Sequence, residues 1–246
     1  MRLALLADVH ANLEALEACL ADAAARGAAR LVLLGDLVGY GADPEAVTAR
    51  AQALAAAGTV VLRGNHDAAV QGGPIGFSTL AAEAMRWTAA RLDAATAAWL
   101  AALPLTHAEE DRLYVHADAS DPEAWRYVLG PFEARRSLDA TPARLTFCGH
   151  THQPALFALT ATGKLAPHRP ADDAPIPLLE PRRWLAVLGA VGQPRDGNPA
   201  ACYGLLDTDT AECAWVRVPY DVAGAAAKIR DAGLPPALAE RLFTGT

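Results

Sequence analysis

Histidine and aspartate residues of this 246-residue chain fall in short clusters, and most clusters directly follow a short apolar run. The clusters are Asp8-Val9-His10, Gly35-Asp36, Gly64-Asn65-His66-Asp67, Val115-His116 and Gly149-His150-Thr151-His152. Imidazole nitrogen together with carboxylate and amide oxygen suits Mn, Fe, Zn, Co or Ni ions, whereas calcium is bound by oxygen alone. The clusters therefore predict a site for transition-metal ions.

The spacing within two of the clusters suits the binding of one metal ion by two side chains. Residues two apart in an extended chain point to the same side, so Asp8 with His10, and His150 with His152, are each expected to hold one ion. Ligands of open α/β sheets bind at the carboxyl ends of the strands. One cluster alone would fit a turn or a hydrogen-bonded core histidine, but five in succession favour a single metal site at one sheet edge.

The apolar runs and helical patterns predict the elements that must position these clusters. Predicted strands cover residues 3–7, 31–34, 59–62, 113–115, 145–148, 155–160, 184–188, 202–207 and 213–218, and predicted helices cover 12–26, 44–57 and 77–103, with short ones from about 222 and 238. Asn12 and Asp43 are the expected N-caps of the first two helices. The proline-rich stretch 167–181 is expected to be an irregular loop. The alternation predicts an α/β fold, and one domain over residues 1–246 is the simplest organisation.

Composition limits the classes of function. With 21 basic and 28 acidic residues, the formal net charge is -7, which disfavours bulk binding to nucleic acid or to an anionic membrane. The apolar N-terminal run breaks at Asp8, so it fits a buried strand better than a signal peptide, and we expect a cytoplasmic protein. The four cysteines, Cys19, Cys148, Cys202 and Cys213, form no CxxC pair and are expected to be reduced core residues.

The order of the clusters resembles that of the calcineurin-like metallophosphoesterases, whose pattern is DxH, GD, GNH followed by D or E, then H, then GHxH. Residues 35–41 (GDLVGYG) and 191–199 (VGQPRDGNP) also resemble a bacterial and archaeal branch of small single-domain phosphoesterases. The resemblance covers nearly the whole chain and leaves roughly the last 25 residues unassigned. It implies an αββα sandwich of two mixed β-sheets flanked by helices, with the metals at one edge.

Residue by residue, the resemblance also implies roles. It implies that one divalent ion is held by Asp8, His10, Asp36 and His152, and the other by Asp36, Asn65, His116 and His150, with Asp36 bridging. His66 matches the family histidine that faces the substrate as a general acid, and Asp67 is expected to orient it. The implied reaction is hydrolysis of a phosphomonoester or phosphodiester by in-line attack of a metal-bridging hydroxide. The expected partner is a small phosphorylated substrate, with a nucleotide among the candidates.

Two other functions fit the same motifs. A hydrolase of dinucleoside polyphosphates or cyclic nucleotides would use the same site. A non-catalytic metal-binding scaffold of the same fold would keep the ligands, although the presence of His66 favours catalysis.

Several residues outside the ligand set have two interpretations. Asn65 and Arg195 are candidate substrate contacts, and the planar guanidinium of Arg195 can hold a phosphate, although an ion pair fits it equally well. Tyr40 can line the pocket or pack in the core. Trp125 and Tyr127 can stack on a base, but core or loop packing is favoured. An ion pair is favoured for Arg63, and His107 and His168 are expected to be ordinary surface residues.

Overall fold

The computed structural model describes residues 1–246 as two six-stranded β-sheets and eight α-helices. The strands are β1 (Arg2–Leu6), β2 (Ala28–Leu33), β3 (Val60–Val61), β4 (Thr106–Glu109), β5 (Arg112–Val115), β6 (Leu145–Cys148), β7 (Ala155–Leu159), β8 (Leu165–His168), β9 (Ile176–Pro177), β10 (Arg183–Val187), β11 (Ala201–Asp207) and β12 (Glu212–Val218). The helices are α1 (Leu13–Ala25), α2 (Pro44–Ala56), α3 (Asn65–Gly72), α4 (Thr79–Arg91), α5 (Ala94–Ala102), α6 (Pro131–Asp139), α7 (Val222–Asp231) and α8 (Pro236–Thr244). None of the helices combines the length and the hydropathy that a membrane span requires.

Both sheets are mixed. The first has the strand order β3-β2-β1-β11-β12-β9, in which β1, β2 and β3 run parallel and the other pairs antiparallel. The second has the order β4-β5-β6-β10-β7-β8, in which β5, β6 and β10 run parallel. The expected sandwich of two mixed sheets is therefore confirmed, and the parallel strands of each sheet have their carboxyl ends at one edge.

Strand β1 shows how side-chain alternation builds the layers. Leu3 and Leu5 face the second sheet and share a buried cluster with Phe147 of β6. Ala4 and Leu6 point the other way, into the cluster that α1 covers. Residues two apart in a strand share a face, so one apolar strand supplies two cores. The outer face of the second sheet is covered in turn by α6.

The prediction of one helix over residues 77–103 is wrong. Leu92 has the extended backbone angles φ -84° and ψ 135°, which end α4. The side chain of Asp93 then accepts a hydrogen bond from the Thr96 N–H at 2.7 Å and begins α5 as an N-cap. Helices α3 and α6 and the short strands β4, β8 and β9 were not predicted. The break between α4 and α5 matters because it allows α5 to turn back and pack against α3.

The two predicted N-caps behave differently. Asn12 caps α1 by accepting a hydrogen bond from the Ala15 N–H at 3.1 Å, and its amide donates to the Gly192 carbonyl at 2.9 Å. Asp43 precedes α2 as expected but makes no capping hydrogen bond, because its carboxylate pairs with Lys228 at 2.8 Å. All four cysteines are buried free thiols, as predicted.

Candidate metal centre

The carboxyl ends of five strands meet at one edge of the sandwich and carry every predicted ligand. Asp8 and His10 follow β1, Asp36 follows β2, Asn65 follows β3, His116 follows β5, and His150 and His152 follow β6. Apart from Asn65, each of these side chains is at most 5% exposed. The structure thus brings together seven polar side chains that lie far apart in the sequence.

One group of potential ligand atoms comes from Asp8, His10 and His152. The two Nε2 atoms of His10 and His152 are 3.0 Å apart, and Asp8 Oδ1 is 3.4 Å from His152 Nε2. Asp8 Oδ1 is buried and has no hydrogen-bond partner. Because a buried polar atom without a partner costs free energy, this oxygen fits a site that a cation completes.

A second group comes from Asp36, His116 and His150. His116 Nε2 lies 3.4 Å from Asp36 Oδ2 and 3.2 Å from both His150 Nδ1 and Asn65 Oδ1. The same oxygen of Asp36 is 3.6 Å from His10 Nε2 in the first group. Asp36 therefore lies between the two groups.

Four of the imidazoles are anchored to backbone carbonyls through the ring nitrogen that faces away from the groups. The pairs are His10 Nδ1 with the Val38 oxygen (3.2 Å), His116 Nδ1 with Leu34 (2.8 Å), His150 Nε2 with Trp125 (2.9 Å) and His152 Nδ1 with Gln193 (2.6 Å). A carbonyl only accepts, so the anchored nitrogen must carry the proton. In the neutral ring, the inward nitrogen then has a free lone pair. This is the tautomer that a metal-binding histidine needs.

Five of the potential ligands have left-handed backbone conformations. The φ angles are 57° for Asp8, 49° for His10, 52° for Asp36, 70° for His150 and 60° for His152. The extended-chain argument for Asp8 with His10 and for His150 with His152 is therefore wrong, because β1 and β6 end before these residues. The expectation that His150 and His152 hold the same ion is wrong as well, because they lie in different groups. Each such conformation costs a non-glycine residue about 1–2 kcal/mol. Long-range backbone bonds impose it, such as that from the His10 N–H to the Asp36 carbonyl at 2.9 Å.

Each of the two aspartates is held by a backbone donor on one oxygen. Asp36 Oδ1 accepts from the His66 N–H at 2.8 Å, and Asp8 Oδ2 accepts from the His150 N–H at 2.9 Å. Asp36 Oδ1 passes so close to Gly64 that a Cβ at that position would collide with it. The other oxygen of each carboxylate is left to face the cluster.

The buried charges shift one another's pKa values. Burial, with the negative charge of Asp36, raises the pKa of Asp8 to about 7. Burial also opposes ionisation of Asp36, but positive charge on His116 and His66 outweighs it and holds the pKa of Asp36 well below its usual range. Burial lowers the pKa of His116, yet the charge of Asp36 overcomes this and raises that pKa to about 9. A bound cation favours ionised carboxylates and neutral imidazoles, so its arrival would release protons from this cluster.

Residues 1–211 match the calcineurin-like phosphoesterase superfamily domain. The chain belongs to the calcineurin-like phosphoesterase superfamily. It is also 35% identical over 251 residues to "Uncharacterized protein MJ0912" of Methanocaldococcus jannaschii, with 99% of this chain and 98% of that protein covered. The superfamily is metal-dependent, and the Asp and His groups described above are able to hold metal.

Solved structures agree with this assignment. A metallophosphoesterase from Sphaerobacter thermophilus has a TM-score of 0.88 and 35% identity to this calcineurin-like phosphoesterase, with 100% of this chain and 99% of that chain covered. Hypothetical protein PH1004 from Pyrococcus horikoshii OT3 has a TM-score of 0.79 at 19% identity, covering 100% and 98% of the two chains, and shares the fold. Family and neighbours together support a hydrolase.

His66 of the phosphoesterase faces the same cluster but has no backbone anchor. Its Nε2 lies 4.0 Å from Asp36 Oδ2, near enough to His10 and Asp36 to join a cation group. Its Nδ1 lies 3.2 Å from Met85 Sδ, and its ring centroid is 4.6 Å from that of Tyr40. Burial lowers the pKa of His66 to about 4. The ring is thus held by packing, with both nitrogens free of strong partners.

The carboxylate of Asp67 contacts backbone, whereas the sequence predicts that it orients His66. It accepts hydrogen bonds from the N–H groups of Leu37 (2.9 Å), Val38 (3.4 Å) and Gly64 (2.9 Å). Burial, with the charge of Asp36, raises the pKa of Asp67 to about 7. Because these bonds join the loop after β2 to the loop after β3, Asp67 positions the backbone that carries the candidate ligands.

The loop after β5 brings two aromatic residues to the centre. The ring of Tyr127 stacks on that of His150, with centroids 4.0 Å apart and planes 10° from parallel. Trp125 has a left-handed φ of 50° and offers its carbonyl to His150. Both side chains therefore pack within this loop, as the sequence favours, and they do so beside the candidate metal centre.

Arg195 lies beside the centre without an ion pair. Its guanidinium lies 5.5 Å from the centroid of the Tyr40 ring, and Nη2 donates to Gln193 Oε1 at 2.9 Å. Arg63, in contrast, forms the expected ion pair, with Glu123 at 3.6 Å. A cavity of about 420 Å³ opens next to His66 and is lined by Arg195, Trp125 and Tyr127 among others.

Three residues at or near the centre were missed by the sequence analysis. The fully buried Asp118 pairs with Arg136 and fixes the loop after His116. Gln193 is buried and anchors both His152 and Arg195. Arg241 of α8 lines the cavity, although no motif marks it. As expected, His107 on β4 and His168 on β8 take no part in the centre.

Proposed function

We propose that this phosphoesterase hydrolyses phosphomonoesters or phosphodiesters with two divalent ions, drawn from Mn, Fe, Zn, Co and Ni. The observation that carries the proposal is the position of Asp36. Its Oδ2 lies 3.6 Å from His10 Nε2 in one group and 3.4 Å from His116 Nε2 in the other. A carboxylate oxygen that faces two ligand groups has the position of a bridging ligand in a two-metal site.

The proposed ligand sets follow the two groups. One ion would be held by Asp8, His10, Asp36 and His152, and the other by Asp36, Asn65, His116 and His150. The donors fit, because Asp8 Oδ1 lacks a partner and the four anchored imidazoles, once neutral, direct lone pairs inward. When bound, such ions lower the pKa of a shared water and neutralise the phosphoryl group.

The chain's own residues would then position the ester and move one proton. His66 donates a proton to the leaving oxygen from the nitrogen that faces the cluster. A phosphate beside the ring raises the pKa of His66 above its value of about 4, because negative charge favours the imidazolium form. Arg195 and Asn65 contact the phosphate oxygens, and Trp125 with Tyr127 forms the wall that receives the rest of the ester.

The test is hydrolysis of p-nitrophenyl phosphate and bis-p-nitrophenyl phosphate with added Mn²⁺, with and without a chelator. We expect turnover that the chelator abolishes and that added metal restores. His168→Ala, a change on a strand outside the centre, is the matched control and should behave as the wild type. Absence of turnover with every metal of the series would favour a non-catalytic scaffold.

A further inference from the structure

Two arginines line the cavity beside His66 without an acidic partner. Arg195 lies in the loop after β10, and Arg241 lies on α8. Many other arginines of this acidic chain lie within ion-pair distance of a carboxylate, as Arg136 and Arg217 do. Unpaired guanidinium groups that share a cavity provide a place for an anionic ligand, because the planar fork matches a phosphate or carboxylate.

Arg195 is held in place by neutral contacts. It lies over the ring of Tyr40, and its Nη2 donates to Gln193 Oε1 at 2.9 Å. The side chain of Gln193 is 1% exposed, and its backbone carbonyl anchors His152 at 2.6 Å. The Nε of Arg195 is buried and has no hydrogen-bond partner. The guanidinium is therefore fixed relative to the metal centre and keeps an unused donor.

Arg241 is positioned by the packing of α8. Leu238 and Leu242 on the same helix are buried in a cluster that includes Tyr40. The carbonyl of Gly245, just past the helix, accepts a hydrogen bond from the Gly197 N–H at 2.8 Å. This bond ties the end of α8 to the loop that bears Arg195. Helix α8 lies outside residues 1–211, so the superfamily match assigns no role to it.

The opposite walls of the cavity are apolar and partly exposed. Tyr127 is 46% exposed although one face of its ring is taken by His150. Ile75 is 87% exposed, and Trp125 and Phe77 also line this cavity. Aromatic faces of this kind fit a planar ring system. The volume of about 420 Å³ lies within the range of roughly 300–1,000 Å³ that small-molecule sites occupy.

We propose that the cavity binds a nucleoside diphosphate or triphosphate, an inference that rests on the phosphoesterase activity proposed above. The terminal phosphate lies at the metal centre, the next phosphate lies between Arg195 and Arg241, and the base packs against Trp125 and Tyr127. In the reaction, a water oxygen bonds to the terminal phosphorus as the bond from that phosphorus to the bridging oxygen breaks. The bridging oxygen takes the proton from His66, the proton that the attacking water loses replaces it by way of solvent, and inorganic phosphate and the shortened nucleotide leave.

Adenosine 5'-diphosphate and adenosine 5'-monophosphate form the matched substrate pair, because only the diphosphate has a second phosphate for the two arginines to bind. With Mn²⁺, we expect the wild type to have a kcat/KM for the diphosphate that is at least about tenfold higher than for the monophosphate. A hydrogen bond to a charged group has an effect of this size. Arg241→Ala should remove most of this preference, chiefly through KM, and Arg241→Lys should retain part of it. Arg86→Ala on α4 removes an exposed arginine outside the cavity and should keep the full preference.

A binding measurement separates recognition from turnover. Calorimetric titration with α,β-methylene adenosine diphosphate, which cannot be cleaved, should show tighter binding than the monophosphate, and Arg241→Ala should abolish the difference. Wild type that hydrolyses p-nitrophenyl phosphate but binds both nucleotides equally would overturn the second-phosphate site. An equal effect of Arg241→Ala on both nucleotides would overturn it as well. Absence of all turnover, with the binding preference intact, would instead refute only the proposed hydrolysis.

Discussion

Gly149 lies against the carboxylate of Asp8, and we expect Gly149→Ala to displace that carboxylate. The added Cβ would lie 2.5 Å from Asp8 Oδ2 and 2.6 Å from the Cβ of Ala7. Relaxed contacts between heavy atoms need about 3.5 Å, so the carboxylate must move by about 1 Å. A metal site tolerates ligand displacements of only about 0.2 Å. The first of the two proposed ions should therefore be lost, while the group around His116 keeps its own.

The expected loss of kcat/KM on p-nitrophenyl phosphate is about 100-fold, since a misplacement of about 1 Å in a catalytic site has an effect of that size. It corresponds to about 2.7 kcal/mol of transition-state stabilisation. Overpacking also lowers the free energy of unfolding by about 1–3 kcal/mol, so thermal unfolding must show that the variant is folded at the assay temperature. Gly72→Ala is the control, because nothing lies within 4 Å of the added Cβ there.

Metal content is measured by mass spectrometry after loading with Mn²⁺ and removal of free ion. The Gly149→Ala protein could instead keep as much metal as the wild type and a turnover within about threefold of the wild-type value. That result would show that the Asp8 carboxylate is not a metal ligand.

Three further changes test other parts of the centre. His66→Ala should keep metal content and reduce turnover more for phenyl phosphate than for p-nitrophenyl phosphate, because the poorer leaving group needs the proton more; equal losses would contradict the general-acid role. Asp36→Ala should lower the occupancy of both ions, and a variant that still holds both would exclude a bridging role. Asn12→Ala removes the α1 cap and leaves the buried Gly192 carbonyl without its donor, which should lower the free energy of unfolding by about 2–4 kcal/mol. The melting temperature should then fall by about 5–15 °C in calorimetry, whereas Asn12→Ser, which keeps the cap, should lose less.

The strand ends that carry the candidate metal ligands were predictable from sequence. The carboxyl ends of β1, β2, β3, β5 and β6 lie within a residue of the predicted ends. Each of these strands ends where an apolar run meets a polar or glycine-rich segment, so local pattern and burial agree there. The superfamily motif then indicated which polar residues would face one another.

The backbone path through the centre was not predictable from local pattern. Positive φ is uncommon even for Asp and His, which adopt it more often than most residues, and hydrogen bonds from distant loops impose it at Asp8, His10 and His152. The stacking of Tyr127 on His150 likewise depends on how the loop after β5 folds across the sheet edge. Arg241 lies on a helix with no motif, so only its packing on α7 and α4 places it by the cavity.

The helix break at Asp93 was missed for a different reason. The N-cap signal was present in Asp93 and Thr96, but the alanine-rich segment around them has high helix propensity throughout and concealed it.

The anchors of the four inward-facing imidazoles have a consequence for how this protein can diverge or be redesigned. The accepting oxygens belong to the main chain at Leu34, Val38, Trp125 and Gln193. A substitution that keeps the backbone path at one of these positions therefore keeps the hydrogen bond that orients the ring. Changing a ring's orientation would instead require a different loop backbone.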